Sequence, residues 1–415
     1  MSTSTSSILI VGAGPAGIAA SLYLSKRKIH HVIIDKATFP RDKICGDALS
    51  GKVVHVLNKL DPSLVPQLAK DEITFTGSYG VSFFSPNGKR LDVPFSSDPE
   101  HLKHAPGFLS KRFDFDHFLF RQLNPEFAQI HQNTELVDIR RQKDGLFVKM
   151  KNEQEEKEQF FKLIIGAEGD RSIVRKKLSD IKKEDDHYSA GIRVYYKNVK
   201  QTHEQYFIEL HFLPEFIPGY LWIFPMKNGS TNVGVGILSS VVAKKKLNLR
   251  EELKRILSTH PILKERFENA IPESDSKGWG LPLGSKVRSL SGDNFILTGD
   301  AASLIDPFTG EGIGNALASG LLAGQMAEEA LIANRYDAPF LRKYDQGVYR
   351  QLGPELKLSH TLQKLTRRPW LFNFIVNKAL KSKTLSETIT CMFEDVDLRK
   401  RLSSPRFYLK LMLNK

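Results

Sequence analysis

The sequence is poor in cysteine. Its two cysteines, Cys45 and Cys391, stand far apart in 415 residues. They can build neither a disulfide framework nor a zinc site on their own, and no metal site is expected; such usage fits a reducing cytoplasm. Long apolar runs are also missing. No stretch reaches the roughly 18 uninterrupted apolar residues of a membrane-spanning helix. Residues 1–7 are polar and uncharged, and the run Ile8-Leu9-Ile10-Val11 breaks at Gly12. That is too short for a secretory signal and reads as a buried strand. These absences predict a cytoplasmic protein, attached to the inner face of a membrane only peripherally if at all. There is no solenoid repeat and no low-complexity tract.

What the chain has in excess is positive charge. The net charge is +13, and residues 342–415 hold 16 Lys and Arg against 6 Asp and Glu. The same region carries the apolar stretch Pro369-Trp370-Leu371-Phe372-Asn373-Phe374-Ile375-Val376. Three readings fit: a packed helical cap with a solvated basic face, a contact with an anionic membrane surface, or a dock for an acidic electron-transfer protein. No recognised nucleic-acid motif accompanies the charge, so no nucleic-acid partner is expected. At this length, two joined domains are the natural expectation.

The first chemical motif is Gly12-Ala13-Gly14-Pro15-Ala16-Gly17, between the strand at 8–11 and an apolar helix over 18–24. Gly12 permits the turn, Gly14 lets a pyrophosphate approach the backbone, and Gly17 lets the helix pack on the strand. The positive end of the helix dipole then faces the phosphates. A second strand, His31-Val32-Ile33-Ile34, ends in Asp35, placed to accept hydrogen bonds from a ribose hydroxyl. An adenine dinucleotide is the predicted ligand.

Two later segments repeat the strand-into-helix pattern. One is Leu163-Ile164-Ile165-Gly166-Ala167-Glu168-Gly169-Asp170-Arg171. The other is Asn294-Phe295-Ile296-Leu297-Thr298-Gly299-Asp300-Ala301-Ala302, continuing through Asp306-Pro307-Phe308-Thr309-Gly310-Glu311-Gly312-Ile313. In this order the three motifs resemble the flavoprotein family of p-hydroxybenzoate hydroxylase-type monooxygenases. That resemblance implies FAD as cofactor, with Asp300 on the ribityl chain and the backbone of residues 310–313 at the N1–C2=O edge of the ring. It extends cofactor contacts to Pro15, Ala16, Lys36, Arg41, Cys45, Gly46, Arg112, Gly169, Gly299 and Pro307. The middle motif carries Glu168 where the family has Asp.

Two further segments narrow the likeness. Phe39-Pro40-Arg41-Asp42-Lys43-Ile44-Cys45-Gly46-Asp47 and Tyr220-Leu221-Trp222-Ile223-Phe224-Pro225, with Asn232-Val233-Gly234-Val235-Gly236, resemble the geranylgeranyl reductases and related polyprenyl-lipid reductases. This likeness spans roughly residues 8–330. It implies an isoprenoid or lipid substrate whose carbon–carbon double bonds receive hydride from flavin N5. NADPH or a ferredoxin-type protein would supply the electrons. Tyr220, Trp222 and Phe224 alternate along a predicted strand and share one face; they either wall a substrate pocket or belong to the sheet core. Cys45, after Arg41 and Lys43, is either a proton donor beside the ring or a small residue in a tight turn. A monooxygenase is the alternative within the fold. A halogenase is disfavoured, because Tyr220 and Phe224 replace the Trp and Ile of the halogenase Trp-x-Trp-x-Ile-Pro pattern. A non-catalytic flavin sensor is the third class.

The expected fold is α/β. It comprises a Rossmann-like, three-layer FAD/NAD(P)-binding domain, an inserted antiparallel-sheet substrate domain and a helical C-terminal region. The expected boundaries are 1–75, 104–186 and 286–340 for the first, 76–103 and 187–285 for the second, and 341–415 for the third. Segment 75–95 is expected to join the sheet built from 189–239.

Overall fold

The computed structural model describes residues 7–96, 98 and 101–381. Cys391 and the basic tail from residue 382 onward lie outside the described residues.

At the centre is a parallel sheet. Strand Ile8–Val11 lies between Leu163–Gly166 and His31–Ile34, with Phe295–Leu297 beyond the former and Ala128–His131 beyond the latter. Ser291–Gly292 closes one edge in antiparallel sense. Every residue of Ile8–Val11 and His31–Ile34 is buried. Both sheet faces are therefore covered, and apart from His31 the strands read as unbroken apolar runs instead of alternating ones. Helix Pro15–Lys26 opens with proline, whose missing N–H costs nothing in a first turn. It packs on helix Ile313–Ala333, whose inward positions are mostly small.

Helix Ala338–Thr366 enters the same core through Leu341, Tyr344, Val348, Leu352 and Leu356. Tyr344 donates to the Leu297 carbonyl at 2.8 Å, and Asp345 accepts from the Leu290 amide at 2.9 Å. Between Ala128–His131 and Leu163–Gly166 the chain forms an antiparallel meander, Glu135–Gln142, Gly145–Lys151 and Glu156–Phe161.

A second, larger sheet runs in the order Ile271–Pro272, Tyr188–Lys197, Ser230–Leu238, Tyr220–Pro225, Ile208–His211, Gly80–Phe84 and Arg90–Pro94, with Lys277–Pro282 also paired to Tyr188–Lys197. Its pairs are antiparallel except Ile208–His211 against Gly80–Phe84, which is parallel. Segment 75–95 is split. Gly80–Phe84 and Arg90–Pro94 join this sheet, whereas Thr76–Ser78 pairs with Gly107–Leu109 in a small three-stranded sheet that also holds Ala48–Leu49.

The large sheet has two unlike faces. Leu221, Ile223, Val233 and Val235 pack on helices Leu249–Thr259 and Pro261–Phe267. The opposite face carries Trp222, Phe224, Leu210 and Phe212, and meets Val376 and Ala379 of helix Pro369–Ala379. Below the sheet, the buried Arg266 guanidinium grips Glu209 with two bonds of 2.6 and 2.7 Å, and His211 reaches the same carboxylate at 2.9 Å.

Candidate functional site

One cavity of about 1510 Å³ runs from the first glycine loop to the large sheet. Each residue the sequence proposed as a cofactor, catalytic or substrate contact lines it, apart from Gly17. That exception has a physical cause. A Cβ on Gly17 would stand 1.8 Å from the Gly12 carbonyl oxygen, so this glycine serves the helix–strand packing. Gly12 itself has φ of +101°, and its Cβ would meet the Ala167 carbonyl at 2.5 Å. Around Gly14 the space is open, the nearest atom to its notional Cβ being an Arg41 guanidinium nitrogen at 3.6 Å. A phosphate beside Gly14 would therefore meet a cation. Asp35 sits at its strand end and accepts from the Ala13 amide at 2.8 Å and the Ala37 amide at 2.9 Å, while Lys36 is exposed at the rim.

A cationic path continues inward. Arg41 and Arg112 share the buried Asp116: Arg41 bonds it at 2.9 Å, and Arg112 clasps it at 2.6 and 2.7 Å. Burial opposes the Arg112 charge, but Asp116 and Cys45 together outweigh it and hold its pKa above the ordinary value. Lys43 lies 4.1 Å over the Trp279 ring, and Arg171 lies 4.9 Å from the same ring. Burial pushes the Lys43 pKa down, against the pull of Asp300. Burial likewise pushes the Asp300 carboxyl up, with Lys43 and Arg112 acting against it. A polar ligand between these groups would relieve both.

Glu168 is engaged by the start of the next helix. It accepts from Ser172 Oγ at 2.7 Å and from the amides of Ile173 and Val174 at 3.1 and 3.0 Å. It thus caps helix Ile173–Leu178, and the extra methylene relative to Asp gives it the reach. Gly169, beside it, has φ of +77° and open space around it.

The third motif forms a shaped loop. Asp306 accepts from the amides of Phe308 and Thr309 at 2.9 and 2.8 Å, folding residues 306–309 into a turn. Of the four backbone amides expected to face a flavin, the Gly310 amide is already spent on the Asp306 carbonyl and Glu311 on Thr309 Oγ1. The amides of Gly312 and Ile313, at the start of helix Ile313–Ala333, have no partner among the described residues. These two are the amides free to meet an electron-rich edge. Pro307 and Gly299 complete the wall.

The aromatic row meets both the Cys45 turn and this loop. Tyr220 donates to the Thr309 carbonyl. Phe224 and Trp222 pack on Gly46, where a Cβ would come within 3.1 Å of the Phe224 ring. Successive rings are 6.3 and 6.4 Å apart. Cys45 is partly buried, and Arg112 reaches its side chain.

Behind the turn lies a network that the sequence did not announce. Asn232 donates to the Cys45 carbonyl at 2.9 Å and to Asp47 at 2.7 Å, and accepts from Trp222 Nε1 at 2.8 Å. Tyr195 also donates to Asp47, at 2.5 Å. Asp47 is wholly buried with φ of +70°, and its other oxygen has no partner. Burial pushes its carboxyl up to about 6, against the Tyr195 hydrogen bond and the Arg193 charge. A second network joins Lys52 to Asn315 at 2.6 Å and Glu355 at 2.8 Å, and Ser50 to Glu311 at 2.5 Å. The only signal for Asn232 was its place at the head of the Asn-x-Gly-x-Gly segment.

Past the aromatic row the cavity becomes an apolar limb walled by Phe83, Leu91, Phe95, Leu210, Phe308 and Phe372. Phe212 ties this wall together, 5.6 Å from Phe308 and 4.6 Å from Phe372. Helices Ala338–Thr366 and Pro369–Ala379 supply the roof, through Leu358, Leu362 and Val376.

An open glycine turn, flanking cations and two spare amides at a helix start all fit an adenine dinucleotide carrying a flavin. Comparison with known proteins agrees. The FAD binding domain family model matches residues 5–323. The digeranylgeranylglycerophospholipid reductase of Methanococcus vannielii is 29% identical over 367 residues, covering 86% of this chain and 87% of its own. The menaquinone reductase of Mycobacterium tuberculosis is 30% identical over 346 residues, covering 82% and 81%. Among solved structures, a geranylgeranyl bacteriochlorophyll reductase-like protein from Thermoplasma acidophilum shares the fold, with a TM-score of 0.79 over 96% of this chain and 98% of that one at 21% identity. With the cofactor-domain match running from the first glycine turn to helix Ile313–Ala333, this chain belongs to the FAD-binding domain family.

Proposed function

We propose that this protein is an FAD-dependent reductase that saturates carbon–carbon double bonds in the isoprenoid chain of a lipid or quinone. One observation carries the reading: the cavity that starts at the glycine turn continues past the aromatic row as a long apolar limb. The relatives support it, one being named a reductase of a digeranylgeranyl glycerophospholipid and the other of menaquinone.

In this reading, Gly12, Gly14, Pro15, Ala16 and Arg41 hold the pyrophosphate, with Asp35 and Lys36 at the adenosine end. Gly169, Gly299 and Asp300 flank the ribityl chain. Pro307, Gly310 and the amides of Gly312 and Ile313 would hold the ring edge, and Cys45, Gly46 and Arg112 would contact the flavin as well. Reduced FAD supplies hydride at N5. The chain's own residues make the alkene able to accept it.

An isolated trisubstituted alkene is a poor hydride acceptor unless its other carbon takes a proton. Cys45 Sγ–H is the donor in this account. As the π bond breaks, one carbon gains the hydride and the other the thiol proton, and solvent later returns a proton to the sulfur. The Arg112 guanidinium beside Cys45 carries the counter-charge to the thiolate. Tyr220, Trp222 and Phe224 present ring faces that stabilise transient positive charge on carbon. The apolar wall excludes water that would trap it. NADPH or a ferredoxin-type protein would deliver the electrons, at an enzyme resting on the inner face of the membrane that holds its substrate.

The test is product mass. Reduced holoenzyme incubated without oxygen with geranylgeranylated lipid or menaquinone should add two hydrogens per reduced bond. A product that gains oxygen, and appears only in air, would replace this reading with a monooxygenase.

A further inference from the structure

We propose that the outer face of helix Pro369–Ala379 docks on an anionic lipid bilayer, setting the mouth of the apolar limb against the membrane. The inference rests on reading that limb as a prenyl-lipid site and adds the route by which the lipid enters.

The helix is apolar on two sides. Phe372, Val376 and Ala379 face the large sheet and its cluster. Trp370 and Phe374, one turn apart, are 65% and 50% exposed, and Leu380 just beyond the helix is 47% exposed. A soluble helix normally keeps its outward face polar; an outward apolar face needs a partner. Phe374 lines the cavity while half exposed, so it stands at the mouth. The exposed patch and the apolar limb are thus one continuous surface.

Charge selects the partner. Residues 342–381 carry nine Lys and Arg against two Asp and Glu. Arg367, Arg368 and Lys381 are exposed at the two ends of this helix, and neither arginine forms an ion pair among the described residues. Tryptophan and phenylalanine seated among basic residues at a helix surface match the headgroup boundary of an anionic bilayer. An acidic redox protein would use the charge but leave the aromatic patch bare. No described helix is long and apolar enough to cross a membrane, so the contact lies on the surface. The hydrogen bond from the Asn87 amide to Asn373 Oδ1, at 3.2 Å, fixes the helix to the Gly80–Pro94 hairpin and so sets the patch relative to the mouth.

Deletion cannot test this, because helix Ala338–Thr366 belongs to the main core. Point variants of the full-length holoenzyme can. Wild type should cosediment with phosphatidylglycerol-containing vesicles and only weakly with phosphatidylcholine alone. Arg367→Ala with Arg368→Ala should weaken anionic-vesicle binding roughly thirtyfold and flatten its salt dependence. Trp370→Ala with Leu380→Ala should weaken it at least about tenfold. Brominated lipid should quench tryptophan emission in wild type and lose most of that effect in Trp370→Phe. All variants should reduce a short isoprenoid chain in detergent at the wild-type rate.

Equal binding by wild type and both double variants would overturn the proposal. So would a patch closed by a second copy of the chain, seen as a dimer that Trp370→Ala dissociates, or by residues 382–415, seen as vesicle binding that appears only when they are removed. Normal reduction in detergent without vesicle binding would sink the docking surface alone. Vesicle binding through this helix without reduction of any prenyl chain would sink the assigned reaction alone.

Discussion

Asp47→Asn should stabilise the protein at neutral pH, by an amount set by the burial of one carboxyl. The side chain is wholly buried, and its pKa is raised from 3.8 to about 6, chiefly by that burial. The sign follows from which state holds the proton longer. Below about 3.8 both folded and unfolded chains are protonated there, and the site has no electrostatic cost. As pH rises toward 6 the unfolded chain ionises and the folded one does not, so stability falls; above 6 the loss is constant. At 1.36 kcal/mol per unit the full cost is about 3 kcal/mol, of which about 1 kcal/mol is already felt at pH 4.5. Asparagine keeps an oxygen to accept from Tyr195 and Asn232, and places its amide where Oδ1 has no partner. With an unfolding entropy of about 2.1 cal/mol/K per residue over this chain, 3 kcal/mol corresponds to a Tm shift of roughly 3 °C. Thermal unfolding of FAD-loaded wild type and variant at pH 4.5 and 7.5 gives the comparison. The variant should gain about 3 °C at pH 7.5 and about a third of that at pH 4.5. A variant less stable than wild type at pH 7.5, or a difference independent of pH, would show that burial of the Asp47 carboxyl carries no such cost.

Asp300→Ala should weaken FAD retention, read as the ratio of flavin to protein absorbance after purification; a variant that purifies with full flavin removes Asp300 from the ribityl contact. Gly17→Ala forces a Cβ to 1.8 Å from the Gly12 carbonyl, so it should abolish flavin binding even where far-ultraviolet dichroism shows folded protein. Arg266→Met strands the buried Glu209 carboxylate and should cost about 3–5 kcal/mol, whereas Arg266→Met with Glu209→Leu should recover most of it. Denaturant midpoints distinguish the two.

The parts of the site legible in the sequence are those where a local backbone demand fixes the residue. Gly12, Gly14 and Gly17 are such positions, because turn, approach and packing each exclude a side chain within six residues. The period-two alternation of Tyr220, Trp222 and Phe224 likewise placed them on one face, and the structure puts Trp222 and Phe224 in a cluster apart from Leu221 and Ile223. What stayed hidden depends on contacts between distant segments. Asn232 meets Asp47 across 185 residues, and Lys52 meets Glu355 across 303; no spacing rule announces either. The roof of the apolar limb was hidden for the same reason. Residues 342–415 read as a basic region with apolar stretches, and no spacing rule says which surface a helical cap built from them would cover. Glu168 shows the converse, a motif position whose longer side chain turned inward to cap its own helix.

The fate of reducing equivalents without oxygen shows whether this flavin reduces an alkene. Holoenzyme reduced photochemically, freed of excess donor and mixed anaerobically with a geranylgeranylated lipid, should regain its oxidised-flavin absorbance near 450 nm. It should do so with one double bond saturated per flavin reoxidised. Flavin that stays reduced until air is admitted, with the lipid's double bonds intact, would contradict the account.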